Sequence, residues 1–208
     1  MIITPPCYPA RPVNGGPLPK APPKSGAWTL EGKYNGWRAW VHNPTGAMFN
    51  RKLEPLSITH EFKPALAKFR QLPWAWSDVE ALERRHHLGR GSLILLDYLP
   101  DNPQQIYTDR KKFIHLCCGD ADDIDVHTEL NIPIANDRVY LPMSWPMDAG
   151  PELWSVLQQA NLALGSNGKC GTHFWEGLVA KRDDSLYPRQ RRSPDIEFPF
   201  SMKHRWAF

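Results

Sequence analysis

The segment from Trp28 to His42 alternates between apolar and polar residues and is interrupted by the dipeptide Asn35-Gly36. Alternation with a period of two places successive side chains on opposite faces of an extended strand. An Asn-Gly pair between two such runs is a strong turn signal, because both residues tolerate positive φ. The sequence therefore predicts two strands that meet at this turn, with Lys33 at the end of the first strand and at the lip of a sheet.

Further strands and three helices are predicted along the chain. Strands are expected at 47–51, 74–82, 93–99, near Val126, and at 139–141, 175–181 and 198–203. Apolar residues at helical spacing indicate a helix capped by Ser57 or Thr59 and a second capped by Thr108, while Pro151 begins a third that Gly165 ends. The apolar face of the first helix is expected to lie in the core.

The N-terminal segment, residues 1–27, contains eight prolines and three glycines. Proline fixes φ and has no N–H to donate, so this segment is predicted to be an extended, irregular arm. We interpret the arm as a solvated linker, with contacts from Lys20 and Lys24 to a phosphate backbone as the alternative. Residues 28–208 are expected to form the folded domain.

The composition is that of a soluble globular protein of 208 residues with 41% hydrophobic residues. The net charge is +3, so no overall basic field points to a polyanion, although a local basic patch is sufficient for nucleic acid. A basic loop is predicted at 84–90. The four cysteines lack the spacing of a disulfide framework, which favours a reducing, cytoplasmic compartment. Neither a signal peptide nor a membrane-spanning segment is predicted.

The residues around the Asn35-Gly36 turn carry a chemical pattern, Lys33-x-Asn35-Gly36-x-Arg38. It offers an amine nucleophile, a turn where the backbone can approach a ligand closely, and a guanidinium that can hold an anion. A lysine attacks phosphorus only as the neutral amine, which desolvation and neighbouring cations favour. A surface lysine and arginine beside a glycine turn would give the same six residues, so other parts of the sequence must decide.

The pattern resembles the K-x-D-G-x-R motif of the covalent nucleotidyltransferases, which comprise ATP-dependent DNA ligases, RNA ligases and mRNA capping enzymes. Further segments resemble this family's motifs in the family's order: Asn50-Arg51 (S-R-N), Asp78-Val79-Glu80 (D-G-E), 96–100 (F-D-L-P), 176–181 (E-G-x-x-x-K) and Lys203-x-Arg205 (K-x-K). Residues 181–193 are similar to a segment of DNA ligases in particular. The resemblance implies an α+β fold, with antiparallel sheets flanked by helices and the nucleotide in the groove between them.

The resemblance also implies residue roles. Lys33 would attack the α-phosphate of ATP, expel pyrophosphate and retain AMP covalently. Arg38, Lys181 and Lys203 would be catalytic with it by neutralising phosphate charge. The residues implied to bind the nucleotide cofactor are Glu31, Gly32, Lys33, Arg38, Arg51, Glu80, Tyr98, Lys181, Lys203 and Arg205.

Individual contacts follow from the same resemblance. Glu31 would read the adenine edge, Glu80 a ribose hydroxyl, and Tyr98 would stack on the adenine unless it belongs to the core. Arg51 would hold the 5′-phosphate of a nick through its planar fork. Glu176, together with Glu80, would be a ligand of Mg²⁺, since oxygen ligands suit this ion.

The function implied is ATP-dependent sealing of nicks in duplex DNA, as in DNA repair, replication or recombination, by a monomeric cytoplasmic protein of bacterial or viral origin. Asn35 stands where the family has aspartate, Gln190 where it has glycine and Ser201 where tryptophan is frequent. The chain ends at Phe208, so we expect no C-terminal OB-fold and allow for a separate clamp or OB-fold protein. RNA ligation, capping guanylyl transfer and nucleotide or DNA binding without catalysis remain as alternatives.

Overall fold

The computed structural model of the protein describes residues 3–18, 23, 25–82, 89–119, 124–125, 137–165 and 173–206. Within these ranges the chain forms eleven β-strands and three α-helices. The strands are β1 (Arg11–Asn14), β2 (Trp28–Tyr34), β3 (Trp37–His42), β4 (Ala47–Asn50), β5 (Trp76–Ala81), β6 (Leu93–Tyr98), β7 (Ile124–Asp125), β8 (Val139–Tyr140), β9 (Ser144–Pro146), β10 (Trp175–Arg182) and β11 (Glu197–Arg205). The helices are α1 (Lys63–Phe69), α2 (Tyr107–Cys118) and α3 (Gly150–Ala163).

The chain divides into two compact units, each built around one sheet. The first unit comprises Met1–Pro9, Gly36–Pro142 and Leu186–Ile196, and the second comprises Ala10–Asn35, Met143–Ser185 and Glu197–Phe208. The predicted strands on either side of Asn35-Gly36 are therefore present, but β2 and β3 belong to different sheets and do not pair with each other.

The first unit contains a six-stranded sheet in the order β4-β3-β5-β6-β8-β7. Its strands are antiparallel except at one edge, where β8 runs parallel to both β6 and β7. Apolar side chains of β3, β5 and β6 pack with those of α1 and α2 in one core, because alternation brings every second residue of a strand to the same face. The unit is thus an α+β arrangement, as expected.

The two helices of the first unit begin differently from the predictions. A 3₁₀ turn, Ser57–Phe62, precedes α1, and no side chain caps either element. Pro64 lies in the first turn of α1, where its missing N–H is tolerated. Likewise Thr108 lies inside α2 and does not cap it. The predicted apolar face of α1 is nevertheless buried, since packing of this face outweighs the contribution of a cap.

The second unit contains a five-stranded sheet in the order β1-β11-β10-β2-β9. β2, β10 and β11 form its antiparallel centre, and α3 contacts β10. The α3 helix agrees with its predicted start and stop signals, since a proline lies in its first turn and Gly165 follows its end with φ 85°.

The N-terminal arm is not a solvated linker in its described part. In the second unit, β1 pairs parallel to β11 at the edge of the sheet. Pro12 is tolerated there because an edge strand leaves one row of its backbone groups outside the sheet ladder. Cys7, in the first unit, and Leu18, in the second, are each buried. Apolar residues among the prolines therefore anchor the arm.

Several predictions fall on other parts of the chain. Lys20, Lys24, Val126 and the loop residues 83–88 lie outside the described residues, although Arg90 of the predicted basic loop is described. Of the helices in the described ranges, none combines the length and the apolar character needed to cross a membrane.

Candidate active site

One face of the second unit's sheet carries most of the predicted catalytic residues. Residues opposite each other in neighbouring strands share a face. The pairing of β2, β10 and β11 produces three such rows: Lys33–Gly177–Arg205, Glu31–Val179–Lys203 and Thr29–Lys181–Ser201. We call the face that carries Lys33, Glu31, Lys181, Lys203 and Arg205 the Lys33 face.

The centre of the Lys33 face is a carboxylate bound by two cations. Lys33 Nζ donates a hydrogen bond to Glu176 Oε2, and Arg205 Nη2 lies 3.0 Å from the same oxygen. The Lys33 and Glu176 side chains are both mostly buried. Charges in such a position are stabilised by pairing. Glu176 therefore holds the Lys33 amine at the end of β2, the strand end at which the sequence places Lys33.

A β-bulge explains how Glu176 reaches this face. Trp175 lies opposite Tyr34 and Gly177 lies opposite Lys33, which leaves Glu176 as an extra residue in β10. In a regular strand the residue before Gly177 would point to the opposite face, whereas a bulge redirects one side chain. Gly177 has φ 144°, a conformation that residues with a Cβ rarely adopt.

We expect Gly177→Ala to lower the free energy of unfolding by about 2 kcal/mol or more, through backbone strain and overlap. A Cβ at position 177 would lie 1.9 Å from the His204 carbonyl oxygen. Gly165→Ala is the matched control, because Gly165 also has positive φ but no atom of the described residues lies within 4 Å of a Cβ built there. Denaturant unfolding measures both; equal losses would contradict the requirement for close approach of β10 and β11.

A further ion pair joins Glu31 of the second row to Lys181 of the third. Lys181 Nζ lies 2.7 Å from Glu31 Oε2, and the Glu31 side chain is 2% exposed. Glu31, predicted to read adenine, is thus fixed by a lysine on the neighbouring strand. Gly32 lies on the opposite face, where the Trp175 ring is 3.2 Å from the position of a Cβ, so glycine makes room for this ring.

Lys203 lies in the same row as Glu31, in a cationic environment. Burial lowers the pKa of Lys203 below its ordinary value; Glu197 opposes this effect, and Arg205, Arg11 and Lys33 add to it. Lys203 therefore combines desolvation with repulsion from neighbouring cations, and these conditions favour its neutral form or a bound anion.

Two asparagines that position the site were not recognised from the sequence in this role. In α3, buried Asn161 accepts hydrogen bonds from the N–H groups of Phe174 and Trp175 and donates one to the Trp175 carbonyl, at 2.9–3.0 Å. It thereby fixes the start of β10 immediately before Glu176. Asn35 donates its side-chain N–H to the His173 carbonyl at 2.8 Å. An aspartate in its place has no N–H to donate.

Arg38 lies in the first unit and forms a bidentate ion pair with Asp78. Its Nε and Nη2 atoms are each 2.6 Å from a carboxylate oxygen, and Tyr187 donates its hydroxyl to the same carboxylate at 2.5 Å. Burial alone would lower the pKa of Arg38, but the Asp78 carboxylate outweighs this and raises it. Asp78 was assigned to a motif strand but not to this contact.

Glu80 and Gly36 contact each other within the first unit. Glu80 Oε1 accepts the Gly36 N–H at 3.0 Å. A Cβ at Gly36 would lie 2.7 Å from the Ala81 carbonyl oxygen and 2.8 Å from Glu80 Cγ. The glycine of the motif is thus required by close approach to β5.

Tyr98 and Arg51, two residues of the first unit that were predicted to contact ligands, differ in exposure. The Tyr98 side chain is a core residue, because its ring stacks on Trp74 with centroids 4.6 Å apart and only 3% of the residue is exposed. It does not offer a free ring face for adenine. Arg51 is exposed in the turn after β4, where its guanidinium is accessible to an anion.

The donor set of the Lys33 face fits a nucleotide phosphate. The ion pairs and rows described above contain four bases, Lys33, Lys181, Lys203 and Arg205, and two carboxylates, Glu31 and Glu176. For Mg²⁺, no three acidic, histidine or cysteine side chains in the described ranges gather as a metal site. Mg²⁺ on this face would take one oxygen ligand from Glu176 and its other ligands from phosphate and water. The prediction that Glu80 is a second protein ligand stays a prediction.

No protein-family model and no curated protein matches the sequence. Solved structures that are similar in fold include the following three. The ligase domain of M. tuberculosis LigD has a TM-score of 0.61 at 19% identity, over 96% of this chain and 59% of that chain. Mycobacterial DNA ligase D complexed with ATP has a TM-score of 0.60 at 19% identity, over 96% of this chain and 60% of that chain. Chlorella virus DNA ligase-adenylate has a TM-score of 0.54 at 16% identity, over 94% of this chain and 67% of that chain.

The chain thus spans about 59% of the LigD ligase domain and matches it over nearly its own full length. The mixed sheets and three helices described above agree with this similarity, and the predicted fold class is confirmed. By its fold, the chain is similar to the catalytic domains of ATP-dependent DNA ligases.

Proposed function

We propose that this protein is an ATP-dependent nucleotidyltransferase that transfers AMP to its own Lys33 and uses it to seal nicks in DNA. The observation that carries the proposal is the position of Lys33 on a face with Lys181, Lys203 and Arg205, held by Glu176. A nucleophilic amine among cations, with a carboxylate that orients it, is suited to attack on a phosphate ester.

The first step is an exchange at the α-phosphorus of ATP. The neutral Lys33 amine forms a nitrogen–phosphorus bond while the bond from the α-phosphorus to the bridging oxygen breaks, and pyrophosphate leaves with the bonding electrons. One proton leaves Nζ to solvent. Lys181, Lys203 and Arg205 stabilise the negative charge that develops on the phosphate oxygens. Glu176 would hold Mg²⁺, which when bound would supply further neutralisation of this charge.

The choice of base and of polynucleotide rests on Glu31 and on the similar solved structures. Glu31 is proposed to accept a hydrogen bond from the adenine amino group. The named neighbours include a ligase complexed with ATP and a ligase-adenylate, which favours ATP as the donor. DNA as acceptor rests on those neighbours being DNA ligases. The predictions that Arg38 and Glu80 bind the nucleotide and that Arg51 binds the 5′-phosphate stay predictions.

Intact-mass spectrometry tests the first step. The protein is incubated with ATP and Mg²⁺, and in parallel with GTP; we expect a gain of one adenylyl group with ATP and no gain with GTP. A guanylyl adduct would favour capping chemistry instead. The absence of any adduct after removal of pre-bound nucleotide with pyrophosphate would contradict the proposal.

A chase identifies the acceptor. The adenylylated protein is mixed with a nicked DNA duplex that has a 5′-phosphate, or with the matching nicked RNA duplex. We expect the adduct to disappear and the strand to be sealed with DNA. A nick without the 5′-phosphate is the control, because it offers no group to accept AMP. Sealing of RNA alone would replace DNA ligation by RNA ligation.

A further inference from the structure

A second ion-pair cluster lies at the edge of the same sheet. Arg11 of β1 lies opposite Glu197 of β11, and its Nε atom is 3.7 Å from Glu197 Oε1. Lys203 Nζ is also 3.7 Å from this oxygen. One carboxylate oxygen is therefore shared by two cations, one of which comes from the N-terminal arm.

An irregularity in the pairing of β1 with β11 brings these three residues together. Pro12 lies opposite Phe198, but the next residue, Val13, lies opposite Met202. Three residues of β11, 199–201, therefore have no partner in β1, although Ser201 pairs with Lys181 of β10. This irregularity in β11 shortens the distance between Glu197 and Lys203, which a regular strand would separate by roughly 20 Å.

The two contacts that Glu197 makes in this cluster are long, and one of them is exposed. At 3.7 Å the two contacts are longer than hydrogen bonds. The Arg11 and Glu197 side chains are 34% and 40% exposed. The Arg11–Glu197 pair contributes little to stability at this exposure. Lys203, whose side chain is 17% exposed, lies beyond hydrogen-bond distance of Glu197, so an incoming anion can displace Glu197 from both cations.

The excess of positive charge around this cluster favours binding of an anion. With the Arg11–Glu197–Lys203 cluster included, the ion pairs described for the Lys33 face contain five bases and three carboxylates. Burial lowers the pKa of Lys203, Glu197 opposes this effect, and the cations Arg205, Arg11 and Lys33 add to it. Charge-assisted hydrogen bonds to phosphate are among the stronger polar contacts in proteins.

We propose that Arg11 and Lys203 form a subsite for the pyrophosphate part of the nucleotide, and that Glu197 is the carboxylate the phosphates displace. The inference rests on the proposed function, since it assigns the group that leaves when Lys33 attacks. A backbone phosphate of DNA has the same chemistry. Pyrophosphate is favoured over a DNA phosphate because Lys203 lies one row from Lys33, so Lys203 and the nucleophile lie on the same face of the sheet.

Titration calorimetry with inorganic pyrophosphate and Mg²⁺ tests binding without requiring any reaction. We expect Arg11→Ala to weaken binding by about tenfold through loss of charge-assisted hydrogen bonds, and Arg11→Lys to restore part of it. Glu197→Gln is expected to tighten binding, because it removes the competing charge. Lys112→Ala is the matched control, since Lys112 is an exposed cation on α2 of the first unit. Unchanged affinity in both Arg11→Ala and Glu197→Gln would overturn the subsite.

Two kinetic measurements separate pyrophosphate from DNA. Arg11→Ala should raise the ATP concentration needed for half-maximal adenylylation by about tenfold, and should leave sealing of a pre-adenylylated nick unchanged, because no pyrophosphate is present in that step. Loss of sealing with unchanged ATP dependence would assign Arg11 to a DNA phosphate and overturn the proposal. If no variant is adenylylated, the proposed function fails, while the calorimetric titration still decides the pyrophosphate subsite.

Discussion

Replacement of Lys33 by alanine is expected to abolish formation of the adenylyl adduct, with at least about a thousandfold loss of rate. The reason is chemical, because no other group in the Lys33–Glu176–Arg205 cluster is a nucleophile toward phosphorus. Arg205 is a guanidinium that stays protonated, and the Glu176 carboxylate remains paired with Arg205 when Lys33 is removed. Intact-mass spectrometry after incubation with ATP and Mg²⁺ measures the adduct directly.

Lys33→Arg removes the nucleophilic amine but keeps the positive charge at position 33. An arginine retains a cation that can pair with Glu176, so the sheet face keeps its charge balance, but the guanidinium is not nucleophilic at neutral pH. We therefore expect no adduct from this variant either. Lys112→Ala, with a substitution on the exposed surface of α2, should react as the unaltered protein does. An adduct on Lys33→Ala would move the nucleophile to another residue and contradict the assignment.

The same variants should retain part of the last step. Sealing of a pre-adenylylated nick needs attack by the 3′-hydroxyl on a phosphate that already carries AMP, and the Lys33 amine forms no bond in that step. We expect Lys33→Ala to seal such a nick more slowly than the unaltered protein but measurably. This outcome would separate a variant that lacks only the nucleophile from one that has lost the fold.

The local structure of the site was predictable from the sequence because its signals are local. Alternation and the Asn35-Gly36 turn gave the end of β2, and therefore the position of Lys33 at a strand end. Helical spacing likewise gave the buried face of α1, whereas the proposed caps were wrong for both α1 and α2. A cap contributes about 1 kcal/mol, which packing against a sheet readily exceeds.

The geometry of the site could not be predicted because it depends on register. Residues 175–177 alone do not show which residue of the strand is extra; that it is Glu176 follows only from the partners of Trp175 and Gly177 on β2. The glycine was a usable signal, since an isolated glycine in a strand suggests a bulge or a close approach of backbones. Pairing of the proline-rich segment with β11 was equally hidden, because its partner is distant in sequence.

Burial decided the interpretations that the sequence left open. Tyr98 was weighed as an adenine platform or a core residue, and its stacking on Trp74 makes it core. A motif specifies which residues occur and in what order, but it does not specify which side chains are used to support the others. Asp78 illustrates this, because it belongs to a motif strand and contacts the motif arginine within the first unit.

Asp78→Ala is expected to lower the free energy of unfolding by about 3–5 kcal/mol. The Asp78 side chain is 0% exposed and accepts hydrogen bonds from both Arg38 and Tyr187. Its removal deprives the mostly buried Arg38 guanidinium of its carboxylate. Arg38 cannot relieve this by losing its proton, since an arginine stays charged in a protein. Denaturant unfolding monitored by tryptophan fluorescence gives the free energy.

Two variants distinguish burial of the charge from loss of a hydrogen bond. Tyr187→Phe removes one donor to the same carboxylate and should cost about 1 kcal/mol. Asp184→Ala removes a carboxylate with the same bidentate geometry toward Arg182, at 2.5 and 2.7 Å, but this side chain is 60% exposed. We expect no measurable change there, because water replaces the lost partner. Equal losses for Asp78→Ala and Asp184→Ala would mean that the Arg38 pair is solvated in solution, and that Arg38 remains available to a ligand rather than being held by Asp78.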